Sequence, residues 1–165
     1  MHELGAFPDA ATLRIFHAAR PLTPAECAQI RAALAAFTAQ WLSHDMRVVG
    51  GSALIHDRFV VIAADESKTH LSGCSKDGLV RAVRAIEELV GTAFVDAPPI
   101  VWRDGAEIRC AERDFFAELA AAGKVGPGTI VFDNTISTLG DLRHGRWERP
   151  ACEAWHARAF DFVEP

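Results

Sequence analysis

The sequence predicts a single-domain α+β protein, with a ferredoxin-like βαββαβ core over residues 13–103 and a C-terminal β-α-β extension with a wrapping tail over residues 104–165. Three observations carry that expectation. Two segments, beginning near Cys27 and Leu79, repeat apolar residues at the three- and four-residue spacing of a helix buried along one face. Short apolar runs bounded by Pro, Gly and Asp lie around them, the pattern of strands and turns. A chain of 165 residues, 50% hydrophobic and 24% charged, can bury a core without covalent staples.

Residues 1–12 read as a tail, and Leu13–Ala18, ended by Arg20-Pro21, as the first strand. Thr23-Pro24-Ala25-Glu26 then places a capping hydroxyl, a proline at the first helical position and a glutamate three residues after the cap. The stripe Cys27, Ile30, Leu34, Phe37 and Trp41 carries this helix to about Leu42, which makes Cys27 a packing residue. Gly50-Gly51 opens Ser52–Ala64, interrupted only at His56-Asp57-Arg58, as expected of a hairpin. After the polar stretch Asp65–Asp77, Leu79, Val83, Ile86 and Val90 mark a second helix stopped by Gly91. Pro98-Pro99 precedes the strand Ile100–Trp102, and Asp104-Gly105 turns the chain into Glu107–Cys110. A third helix runs from Ala111 through Phe115, Phe116 and Leu119 to Gly123. Gly126-Pro127-Gly128 then leads to the strand Thr129–Phe132, and the remainder from Asp133 wraps the sheet.

Twenty-two acidic against seventeen basic residues give a net charge of −5, which offers no general attraction for nucleic acid or anionic membrane. Neither is expected as a partner. The four cysteines, at 27, 74, 110 and 152, are widely spaced in a chain that needs no crosslinks, so free thiols and a cytoplasmic location are expected.

Among residues that carry chemistry, Cys74 lies in Ser72-Gly73-Cys74-Ser75 before the second helix, where backbone amides and the helix dipole favour a thiolate. Asp65 and Glu66 stand at the end of the preceding strand as general-base or ligand carboxylates, and His156 is the base that would complete a thiol site. The plainer alternative makes Ser75 the cap and Cys74 a buried filler. Asp133-Asn134-Thr135 follows a strand, where binding groups gather, although Asp and Asn are also good turn formers. Arg143, His144, Arg146 and Arg149 make a local basic cluster. Trp155, His156 and Arg158 combine an aromatic plate, an imidazole and a guanidinium, or else anchor the tail together with Phe160. His70, Cys74, Cys152 and His156 have the ligand chemistry of zinc, but their spacing is not that of a standard finger, so no metal is expected. Gly123-Lys124 is not a phosphate loop, since Glu118 occupies the place of its first glycine and Val125 that of its hydroxyl residue.

Ala64-Asp65-Glu66-Ser67, Ser72-Gly73-Cys74-Ser75, Trp102-Arg103-Asp104-Gly105, Thr129–Asn134 and Trp155-His156-Ala157-Arg158 resemble segments of a group of small bacterial proteins sometimes labelled ABC transporter ATPase. That resemblance brings no established activity, and the chain lacks the phosphate loop the label requires. Phe116–Val131, followed by Trp147 and Pro150-Ala151, is similar to the helix-and-strand portion of bacterial GYF-like domains. Those domains bind proline-rich peptides, and the resemblance implies a protein or peptide partner, although this chain has no tyrosine.

The reading that follows is a noncatalytic interaction or small-ligand binding module that is not an ATPase, needs no cofactor and admits a homodimer through its sheet. The alternative is a thiol-dependent enzyme with Cys74 as nucleophile and His156 as base.

Overall fold

Thr23 starts the first helix as its sequence requires. Its hydroxyl accepts from the Glu26 N–H at 3.3 Å, and the Glu26 carboxylate accepts from the Thr23 N–H at 2.7 Å. Each side chain satisfies a backbone donor that a helix start leaves open. In the computed structural model, which describes residues 4–162, this helix is α1, Pro24–Gln40. It follows strand β1, Thr12–His17. A short ribbon comes next, β2 (Leu42–Ser43) and β3 (Met46–Arg47), and then the expected hairpin of β4 (Val49–Ile55) and β5 (Phe59–Asp65). Helix α2, Gly73–Val90, ends at Gly91, whose φ of 63° lets its N–H return to the Glu87 carbonyl.

The chain divides into two compact units, one comprising residues up to Ala97 with Ser137–Gly140, the other Pro98–Ile136 with the residues from Asp141 onward. In the first, β1-β5-β4 form an antiparallel sheet. Central β5 is buried on both faces. Val60, Ile62 and Ala64 join a core with Ile30 and Leu34 of α1 and Leu79, Val83 and Ile86 of α2, while Val61 and Ala63 pair with Ile15 and Leu13 on the other face. Gly50 and Gly51 pair with Ala64 and Ala63. A Cβ on Gly50 would lie 2.8 Å from the Trp41 ring, and one on Gly51 would lie 2.7 Å from Phe7, so aromatic rings approach the strand from both sides.

Two expectations change here. Residues 4–12 are not a tail, since Leu4 and Ala11 are buried, and the helix stops at Gln40, with Trp41 in extended conformation but still buried in the core with Cys27, Ile30 and Leu34. The segment Ser137–Gly140 completes this unit: Leu13 donates its N–H to the Ser137 carbonyl at 2.7 Å, and Leu139 donates to Ala11 at 2.9 Å.

The second unit contains β6 (Ile100–Asp104), β7 (Glu107–Ala111), α3 (Arg113–Ala121), β8 (Ile130–Phe132) and, beyond α4 (Leu139–Arg143), β9 (Glu148–Pro150) and α5 (His156–Ala159). Its antiparallel sheet has the order β7-β6-β8-β9. Ile100–Trp102 is therefore not the fourth strand of a ferredoxin-like sheet. The Asp104-Gly105 turn pairs β6 with β7 along its whole length, and Trp102↔Val131 joins its other edge to β8, so neither edge is left for β1, β4 or β5. The tail also does more than wrap, because β9 extends this sheet. Phe116 of α3 centres the core, with ring centroids 5.2 Å from Trp102 and 4.9 Å from Phe160. The α+β class holds, with its strands in a three-stranded sheet, a four-stranded sheet and the β2-β3 ribbon instead of one sheet.

Candidate functional site

The pairing of β8 with β9 sets Val131 opposite Arg149 and leaves Asp133 one residue past the strand end. The Asp133 N–H donates to the Trp147 carbonyl at 2.6 Å, which holds the chain while its side chain turns inward. One carboxylate oxygen accepts from the Thr135 N–H at 3.1 Å and from the Thr135 hydroxyl, an Asx turn closed twice over. The other accepts from Arg149 Nη2 at 2.7 Å. With the Asp133 side chain 4% exposed, the carboxylate is shielded from water, and it fixes the orientation of the partly exposed guanidinium. Arg149 Nε is buried and makes no hydrogen bond.

This ion pair borders a cavity of about 400 Å³ that is also lined by Thr135, Cys152, Trp155 and Arg158. Glu153 lines it too, giving two carboxylates and two guanidinium groups. Asp133 and Arg149 neutralise each other, whereas Arg158 is exposed and has no carboxylate partner among the described residues. The cavity therefore combines a locked ion pair, an indole and one uncommitted cation, a combination suited to holding the acidic group of a small molecule.

The sequence candidates are distributed unevenly around this arrangement. Asp133 and Arg158 share the cavity as lining residues. Asn134 does not line it, and its Oδ1 instead accepts from Trp147 Nε1 at 2.9 Å. Arg149 is not part of a cluster with Arg143 and Arg146, because as a strand residue it faces a carboxylate sixteen positions back, whereas Arg146 pairs with Asp141 at 3.1 Å. No local signal marked Arg149 or Cys152 as companions of Asp133, whereas Thr135 belongs to the same polar strand end.

His156 has no accessible surface. Its ring stacks on Trp155 at a centroid distance of 4.0 Å, with Phe116 and Phe160 at 6.2 and 6.1 Å, and neither ring nitrogen has a hydrogen-bond partner. Burial pulls its pKa down to about 4, opposed by the nearby Asp133 charge and assisted by Arg149 and Arg113. The imidazole is thus neutral near pH 7 and packs as an aromatic ring. It offers no surface to a substrate or to an exposed thiol, which removes the expected base.

Cys74 is exposed, at the second residue of α2, and so is not the buried filler. The helix is capped by Ser72, whose hydroxyl accepts from the Ser75 N–H at 3.1 Å, while Ser75 is buried. Asp65 accepts from the Ser67 N–H at 3.0 Å, which holds its carboxyl below the usual range. Glu66 is lowered chiefly by the Thr12 hydroxyl, and it also accepts from the Leu71 N–H at 2.8 Å. Both carboxylates serve the loop that leads into α2. His70 is almost fully exposed, and among the described residues no three His, Cys, Asp or Glu side chains gather as a metal-ligand set.

No protein-family model, curated protein or solved structure matches the chain.

Proposed function

We propose that the protein is a noncatalytic binding module whose second unit takes a small molecule bearing a carboxylate or phosphate group. The observation that supports this reading is the Asp133–Arg149 pair, fixed at 2.7 Å on the wall of a cavity whose remaining guanidinium, Arg158, is uncommitted. Arg158 receives the anionic group, Trp155 covers the apolar part of the ligand, and Asp133 keeps Arg149 from moving. The lining includes a thiol, Cys152, but no imidazole to activate it, which favours binding over chemistry.

Thermal unfolding with added glutamate, citrate and inorganic phosphate tests the reading. Ligand at about a hundred times its Kd stabilises a native state by roughly 2.7 kcal/mol, a rise of several degrees in Tm. At least one of the three is expected to give such a rise in the parent chain and none in Arg158→Ala. Equal rises in the two proteins, or none in either, would overturn the proposal.

A further inference from the structure

The free side of β4 lacks the prolines and charged residues of its own that keep many edge strands from pairing. Val49–Ile55 contains no charged residue and no proline, it ends the order β1-β5-β4, and among the described residues no strand joins its outer edge. Beside it α1 presents Ala35, Thr38 and Ala39, short side chains that leave cavities of about 240 and 410 Å³ between helix and strand. Ala35 and Thr38 line both, so the two make one groove that follows β4 from Leu54 to Val49.

The charge along this groove has a single sign. Arg31 lines one end and Arg47 the other, and neither cavity is lined by Asp or Glu, in a chain whose net charge is −5. Arg31 Nη2 donates to the Leu54 carbonyl at 3.4 Å, which places a guanidinium at the strand itself. Val49, 43% exposed, supplies an apolar contact within the groove, and Leu42 and Met46 are exposed on the ribbon just before it.

We propose that this groove binds an extended acidic segment of a partner protein, which adds to the sheet as a strand on β4 with its carboxylates at Arg31 and Arg47. Main-chain hydrogen bonds supply affinity in such an arrangement, and alternate side chains of the added strand enter the space beside α1. The charges select the partner, since a like-charged segment would set cations against two guanidinium groups. A second copy of this chain is a poorer occupant because its own β4 brings no carboxylate to either arginine. The groove lies wholly in the first unit and does not rest on the cavity of the second.

The probe is a fluorescein-labelled peptide of about eight alternating Glu and Val residues, the length of a strand, with a Lys-Val peptide as its counterpart. Fluorescence anisotropy with the full chain is expected to show the Glu-Val peptide binding at least about tenfold more tightly, with affinity falling as salt rises. Ala35→Trp fills the groove from an exposed helix position and is expected to abolish binding. Arg47→Ala, on the exposed ribbon, is expected to weaken the Glu-Val peptide and, by removing a like charge, to strengthen the Lys-Val peptide, so that the two affinities draw together. Equal affinities for the two peptides, no binding at millimolar concentration, or unchanged binding in Ala35→Trp would overturn the proposal. A dimer of the parent chain that Ala35→Trp dissociates would do the same, by giving the groove to a second copy.

Discussion

Gly50 faces Trp41 so closely that a methyl group added to the glycine would lie 2.8 Å from the indole. The Trp41 indole is pinned from its other end, since its Nε1 donates to the Ser75 carbonyl at 3.0 Å, so it cannot easily withdraw. Gly50→Ala should therefore cost about 1–3 kcal/mol, the usual penalty of overpacking. Gly73 is the contrast, with nothing within 4 Å of an added Cβ at the first residue of α2. Gly73→Ala should stabilise by about 0.4–1 kcal/mol through a less flexible unfolded chain. Urea midpoints of both variants, compared at unchanged m, measure the two effects.

The start of α1 should carry an acid dependence. Glu26 is bound by Arg20, through contacts of 2.7 and 3.0 Å, and by the Thr23 N–H, and its pKa falls from the ordinary 4.5 to about 2. A carboxylate lowered in the folded state stabilises above its unfolded value and loses that contribution as pH falls through the folded one. Glu26→Gln should thus be less stable than the parent at pH 7 and converge with it near pH 2. Thr23→Ala should cost about 1 kcal/mol at neutral pH, which chemical denaturation would register.

His156 should destabilise the fold on the acid side by a different route. The unfolded chain protonates this residue below about 6.5, while the folded ring stays neutral down to about 4. Stability should fall as pH drops from 6.5 to 4, by roughly 3 kcal/mol in all, since one pKa unit is worth about 1.4 kcal/mol. His156→Phe keeps the ring among Trp155, Phe116 and Phe160 and removes two buried nitrogens that have no partner. It should flatten this part of the pH profile without loss of stability at pH 7. An unchanged slope between pH 6.5 and 4 would contradict the assignment.

The cysteines should separate by reactivity. Cys74 and Cys152 are exposed, whereas Cys27 is buried and its thiol is pushed up by burial and by Asp57, 3.6 Å away. Native protein treated with a disulfide reagent should release two rapid equivalents, assigned by Cys74→Ser and Cys152→Ser, a slower one from half-buried Cys110, and a fourth from Cys27 only after unfolding.

What the sequence revealed was what lies close together along it. Thr23 and Glu26 are three residues apart, and the cap they form is the one expected. The stripe Leu79, Val83, Ile86 and Val90 is buried as its spacing requires. Strand pairing over longer separations was not legible: nothing within Ile100–Trp102 says that β7 and β8 will take both of its edges. The same limit governs the site. Asp133 and Arg158 were identifiable by residue type and position, but Arg149 becomes a partner of Asp133 only when β9 pairs with β8. His156 resembled a base because its cage of rings forms only once α5 packs on Phe116.

Ser137–Gly140 belongs with the residues before Pro98, although it is separated from them by most of the second sheet in chain order. During synthesis the backbone groups of Asp9, Ala11 and Leu13 have no partners at this edge until Gly140 has left the ribosome. A fragment ending at Ala97 would carry α1, α2 and all three strands of their sheet and would still present an unsealed β1. The first unit is thus encoded in two pieces, and dividing the gene at the apparent boundary would separate a sheet from its last fastening.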